Sequence, residues 1–250
     1  MNHKNVTSSF RCRLIFLLLL SLGLGFGWAS PLFGLGSAED PSQIITQVFH
    51  AEAPQTLTIR GQLHFTLEQG PEFRVVVKTN RAIMDQVTVN TFLGYGTVAV
   101  DSGLEGPREQ GFAEAVIIIP PLSQLTISGQ SRGEMTWSGA FPRLLVTENS
   151  HLSLTYSGPV LHAQVDWHSI LKVQGKLDSV MLSSRDQGVT DFKTATIGTL
   201  ILNLENSSLV EVTHVKTWKG TVRFGARAIW TPEPGLSPPQ GTLTEQELRS

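Results

Sequence analysis

The sequence predicts an all-β protein built as a solenoid with coils of about 20 residues. Three observations carry that expectation. Apolar residues between Gln47 and Trp230 recur at every second position, the period of a strand with one buried face, and not at the three-and-four spacing of a helix. The apolar runs close on Gly, Pro, Asn or Asp, as strands do. From Leu125 a longer beat appears: "LTISGQSRGEMTW", "LLVTENSHLSLTY" and "AQVDWHSILKVQG" align Ile127, Val146 and Val165 at intervals of 19, with looser continuations at Leu182, Leu202 and Val222. Periods near 20 belong to solenoids, in which stacked coils pair their backbones above and below. An ordinary β-sandwich of alternating strands is the rival architecture.

Taken in chain order, the first segment is a leader. "MNHKNVTSSFRCR" is basic and free of acids, and "LIFLLLLSLGLGFGWA" is apolar. Small residues follow before the first acids, Glu39 and Asp40. This is the pattern of a secretory signal peptide over residues 1–38, with cleavage after Ala38 or after Ala29. An uncleaved membrane anchor is the alternative, since the apolar run approaches the length of a spanning helix. Cys12 is the only cysteine and precedes the apolar run. A mature chain would have no disulfide and no thiolate chemistry, and would be held by packing and backbone hydrogen bonds.

The main domain is read over residues 39–230. Its early strands alternate at Leu57 and Ile59, at Leu63, Phe65 and Leu67, and at Phe73, Val75 and Val77. Val87 and Val89, then Val98 and Val100, continue the series. "EQGPEF" and "LGYGT" read as turns. "NRAIMDQ" offers the one short helical turn. In "AVIIIPPLSQLTISG" a nearly continuous apolar strand meets Pro120 and Pro121, which lack N–H groups and mark a corner before the next strand. The ends of such a stack need covering. The N-terminal strands and residues 215–230 are the candidates, and end-to-end dimerisation would also serve. Residues 231–250, "TPEPGLSPPQGTLTEQELRS", hold four prolines and few apolar residues, and read as a flexible tail.

Composition removes several function classes. The net charge of −2 is small and Lys and Arg are scattered, so electrostatic capture of nucleic acid is not expected. No phosphate-binding glycine loop, H-E-x-x-H or G-x-S-x-G motif is present, and no cofactor or metal is expected. The densest polar cluster is "HAQVDWHS". Read as one strand, it places Gln164, Asp166 and His168 on one face and Val165 and Trp167 on the other. The repeat alignment stacks Thr147, Asp166 and Ser183 in one row, and Asn149, His168 and Arg185 in the next. Thr147, Asn149, Asp166, His168 and Arg185 are therefore the candidate ligand-binding residues. His162, placed past a corner, leaves only a thin metal set. Asp186 and Asp191 sit close enough to share a turn. Trp137, Trp167, Trp218 and Trp230 are stacking platforms if exposed, and caps of the interior or its corners if not.

Two phrases resemble a known family. "TIRGQLHFTLEQGPEFRVVVKTNRAIMDQVTVNTFLGYGTVAVD" is similar to the opening of head-GIN domains, the auto-transporter adhesin family. "AVIIIPPLSQLTISGQSRGEM" is similar to that family's central "I-x-x-P-x-L-x-x-L-x-x-S-G" phrase. The resemblance covers residues 47–230. It implies a right-handed parallel β-helix-like solenoid in an exported protein, located in the periplasm, at the cell surface or outside the cell. It supplies no catalytic residues. The chain departs from the family's small Ser-Gly turns where its later coils read "VDWHS" and "LENSS".

Three functions are compatible with these readings. The first is an exported, adhesin-like binding module for a glycan or an envelope protein, and not an enzyme. The second is a polysaccharide hydrolase or lyase using Asp166 with Asp186 or Arg185. The third is a purely structural envelope protein.

Overall fold

The computed structural model describes residues 42–100 and 113–246. The leader read over residues 1–38, with its cleavage positions and Cys12, lies outside the described residues. The first strands are β1 (Ile44–His50), β2 (Thr56–Gly61), β3 (Leu63–Gln69) and β4 (Arg74–Asn80). A single helical turn α1 (Arg81–Met84) precedes β5 (Val87–Phe92), β6 (Tyr95–Val100) and β7 (Ala113–Ile119). It falls where "NRAIMDQ" predicts it, and the Asn80 side chain caps it by accepting from the Ile83 amide at 2.9 Å. The repeating part contains β8 (Gln124–Ser128), β9 (Arg132–Trp137), β10 (Arg143–Val146), β11 (His151–Tyr156) and β12 (Gly158–Val165). Three long strands follow, β13 (Ile170–Ser184), β14 (Val189–Leu204) and β15 (Leu209–Arg223), then β16 (Arg227–Trp230) and β17 (Leu243–Gln246).

These strands wind into a β-solenoid of about six turns, with coils of about 19 residues. On one side the ladder runs β6, β2, β8, β10, β12, β13, β14, β15, β17, all parallel. On a second side it runs β7, β3, β9, β11, β13, β14, β15, β16, also parallel. The long strands belong to both because they bend between sides, with bulges at Lys172/Gln174 and Phe192/Thr196. A third side therefore opens in the later coils, where Val160 pairs with Ser179 and Ser179 with Thr199.

Axial order differs from chain order at the start. The β2–β3 coil lies between the β6–β7 coil and the β8–β9 coil. Its strands thus have parallel neighbours on both edges, and their inward residues Leu57, Ile59, Leu63, Phe65 and Leu67 are buried. Antiparallel strands close this end: β5 on β6, and β4 then β1 on β7.

The core consists of lengthwise apolar rows. Val98, Ile59, Ile127, Val146 and Val165 are in one register, and all are fully buried. Each such side chain contributes about 1.5–3 kcal/mol relative to an exposed one. The row then differs from the sequence alignment. Val165 pairs with Ser184 and not with Leu182, which pairs with Ala163. Ser184 occupies an apolar position while buried, and its hydroxyl donates to the Val165 carbonyl at 2.9 Å. That internal bond offsets the cost of burying the hydroxyl. Its polar identity is what displaced the sequence register by two residues.

The stretch expected as a flexible tail supplies the last strand. β17 pairs with Gly220–Arg223 of β15, and Gln240 bridges Thr217. The Trp218 amide donates to the Gln240 carbonyl at 2.9 Å. The backbone groups on the outer edge of β15 require partners whatever the side chains are, so a polar segment serves.

Candidate functional site

From the β8–β9 coil onward one corner of each coil has the same backbone. Two consecutive residues take left-handed conformations: Glu148 and Asn149, Trp167 and His168, Asp186 and Gln187, Asn206 and Ser207, with φ between 51° and 65°. Gly129–Gln130 and Phe224–Gly225 repeat it at either end of this series. The next residue is small and buried: Ser131, Ser150, Ser169, Gly188, Ser208 and Ala226. Amides link the turns along the axis, with Asn149 donating to Trp167, His168 to Asp186 and Gln187 to Asn206, at 2.9–3.0 Å. "VDWHS" and "LENSS" are therefore the same turn as "ISGQS".

This geometry relocates the polar cluster. β12 ends at Val165, so Asp166, Trp167 and His168 form a turn and do not alternate on a strand. Asp166 is buried at 3% exposure, whereas Trp167 is thrown outward at 59%. His162 lies on β12 itself and shares its outer face with Gln164, not a position beyond a corner. The rows shift accordingly. Asp166 lies beside Thr147 on one side and Arg185, not Ser183, on the other, as the Asp166-to-Val146 and Arg185-to-Val165 backbone bonds show. His168 lies between Asn149 and Gln187, with Arg185 in the neighbouring row.

Of the five candidates, Asp166 and Arg185 are thus in contact. Arg185 Nη2 donates to Asp166 Oδ2 at 3.0 Å, and Gln164 Nε2 donates to the same oxygen at 2.6 Å. The hydrogen bond and charge of Asp166 hold the Arg185 guanidinium above its ordinary pKa. The row continues through Glu205 to Arg223, whose ion pair spans 3.8 Å. Charges therefore alternate along it, as a ladder that ties coil to coil. Asn149 and His168 are exposed beside Trp167, and Thr147 is half-buried. Asp186 Oδ1 accepts from Asn206, while Asp191 caps the Lys193 amide on β14, so the two carboxylates are engaged separately. Among the described residues no group of three His, Cys, Asp or Glu is placed to hold a metal ion.

Trp137, Trp218 and Trp230 are less exposed than Trp167. Trp137 is buried against Phe141, with its Nε1 donating to the Ala140 carbonyl, and the other two are half-buried.

The turns lead into a trench that sequence reasoning missed. It runs across β1, β4, β7, β3, β9 and β11, with a volume of about 620 Å³. One wall is the outward row Lys78, Glu114, His64, Arg132 and His151; the other is Val76, Val116, Thr66, Glu134 and Ser153. Burial, then the charges of Arg132 and Lys172, lowers the His151 pKa below its ordinary value. No local motif marks this site, because the register brings together distant segments, pairing His64 with Glu114 and with Arg132.

A family model described as "Putative auto-transporter adhesin, head GIN domain" matches residues 53–234, and the chain belongs to that family. The fold is shared with two "putative adhesins" at 12% identity. That from Parabacteroides merdae has a TM-score of 0.55, with 83% of this chain and 97% of that one covered. That from Bacteroides fragilis has a TM-score of 0.54, with 83% and 99% covered. A "putative lipid binding protein" from Parabacteroides distasonis is similar to the same degree, at 12% identity and TM-score 0.54, with 82% and 97% covered. A search of curated protein sequences finds no significant relative.

Proposed function

We propose that this protein is an exported, non-enzymatic binding module that holds an extended glycan along the solenoid, at the corner bearing Trp167 and the trench beside it. The observation that carries the reading is Trp167 itself, 59% exposed on a turn whose backbone is fixed by bonds to both neighbouring coils. A rigid exposed indole offers an apolar face to a sugar ring at low entropic cost. Glu148, Asn149, His168 and Asp186 surround it with donors and acceptors for hydroxyl groups. These groups repeat at the coil spacing of about 4.8 Å, which suits a linear polymer lying along the axis. Export is supported by the leader pattern and by family membership.

The hydrolase or lyase alternative draws no support from Asp166, which is buried and committed to Arg185 and Gln164. The test is retention of the purified protein on glycan arrays and on cell-envelope fractions. Trp167→Ala is expected to weaken glycan retention at least about tenfold, with the melting temperature unchanged because the side chain is exposed. Retention only by envelope protein, or glycan retention that survives both Trp167→Ala and His168→Ala, overturns the assignment.

A further inference from the structure

The corner turns form a row along the axis. The carbonyl of the first left-handed residue accepts from the second left-handed residue of the coil before. Trp167 accepts from Asn149, Asp186 from His168, Asn206 from Gln187 and Phe224 from Ser207, at 2.9–3.0 Å. Trp167, Asp186, Asn206 and Phe224 therefore stand one coil apart in a single line. Three coils separate Trp167 from Phe224, or about 14 Å at the spacing of parallel strands.

Both aromatic residues are out of keeping with the backbone they occupy. Left-handed φ suits Gly, Asn and Asp, which hold this position as Gly129, Asn206 and Asp186. Trp167 and Phe224 adopt it at φ of 55° and 54°. Core packing does not offset that strain, since Trp167 is 59% and Phe224 42% exposed. A strained residue whose side chain is turned to solvent points to binding. Between the two rings lie Asp186 and Asn206, joined by a hydrogen bond of 2.9 Å from Asn206 Nδ2 to Asp186 Oδ1.

On the reading that this corner holds a glycan, the row also defines which kind. A pyranose ring with equatorial hydroxyls presents C–H groups on both faces and polar groups at its rim. An indole or phenyl ring takes a face, and a carboxylate–amide pair takes the rim. In an extended chain such rings follow one another at about the coil spacing of 4.8 Å. Rings stacked on Trp167 and Phe224 are then the first and fourth of a run. Along this corner the carboxylates of Glu148, Asp166, Asp186 and Glu205 outnumber the guanidiniums of Arg185 and Arg223, which disfavours an acidic polymer. We propose that Phe224 is a second aromatic platform, and that Trp167, Asp186, Asn206 and Phe224 together bind an uncharged, extended glycan of at least four equatorially linked rings.

The experiment is calorimetric titration of the protein with cello-, chito- and xylo-oligosaccharides of two to six rings, and with glucuronate oligomers as the acidic counterpart. At least one neutral series is expected to bind, with affinity rising at least about tenfold between two and four rings as the second platform is reached. Phe224→Asn installs the residue that Asn206 places in the same turn, so the fold is retained and an unchanged melting temperature verifies it. This substitution is expected to abolish the gain at four rings while leaving two-ring affinity within about twofold, and Phe224→Trp is expected to keep the gain. Affinity that does not depend on length, or a length step that survives Phe224→Asn, overturns the proposal, even where sensitivity to Trp167→Ala upholds the glycan reading itself. Preference for the glucuronate oligomers overturns the uncharged class. Absence of binding to every series overturns the proposal, and loss of retention on the wider glycan arrays as well overturns the glycan reading with it.

Discussion

His151 shows how one side chain reports its surroundings. It stands in a row of outward groups, between Arg132 on β9 and Ile170 on β13, with Lys172 nearby. Burial and these two cations disfavour its charged form, so its folded-state pKa lies below the 6.5 of free imidazole. The unfolded chain then binds the proton more tightly. Well above pH 6.5 the residue is neutral in both states and has no effect on stability. As pH falls from that value through the folded-state pKa, stability is lost. Melting temperatures of the protein and of His151→Gln are expected to converge at high pH. Below about pH 6.5 the substituted protein should retain more of its stability than the parent. Asp166 and Arg185 carry a second lesson at this scale. Asp166 is buried and its Oδ2 accepts from the exposed Arg185 of the next coil, so the pair also links coil to coil.

At the level of the element, the bend inside β13 depends on Gly175. Its φ is +121°, and a Cβ there would overlap the carbonyl oxygen of Tyr156 in the coil below. Gly175→Ala is therefore expected to cost about 1–3 kcal/mol from backbone strain alone, with more from the displaced coil. Gly139→Ala is the comparison. Its φ is +78° but nothing lies within 4 Å, so only the left-handed penalty of about 1 kcal/mol applies. Urea denaturation of the two variants measures the difference. The corner turns illustrate the reverse case. The pairs Glu148–Asn149, Trp167–His168 and Asp186–Gln187 accept left-handed conformations without containing glycine, because each is held by axial amide bonds and followed by a buried small residue.

For the molecule as a whole, each coil is stabilised by its two neighbours, so perturbation at one end should decay along the axis. Removing residues 231–250 deletes β17 and the Gln240 bonds to Lys216 and Trp218. Hydrogen exchange is expected to accelerate at Lys216–Arg223, while the buried coils at Ile127, Val146 and Val165 stay protected. Equal acceleration throughout would mean that the coils unfold as one unit. The interleaving of β2–β3 between later coils makes the opposite end less divisible, since three chain segments share each ladder there.

The solenoid was legible from residues alone, because the two-residue period and the interval of 19 between Ile127, Val146 and Val165 are direct consequences of burying one strand face per coil. So was the Asn80-capped turn, whose signal is local. The row beyond Val165 was not, since a buried serine satisfied by a carbonyl looks polar in sequence and apolar in packing. The exposure of Trp167 was decided by two consecutive left-handed residues, a conformation that neither tryptophan nor histidine announces. The trench and the row from Trp167 to Phe224 were decided by which coils lie side by side. Pairing of that kind joins positions tens of residues apart, and no short stretch of sequence encodes its neighbour.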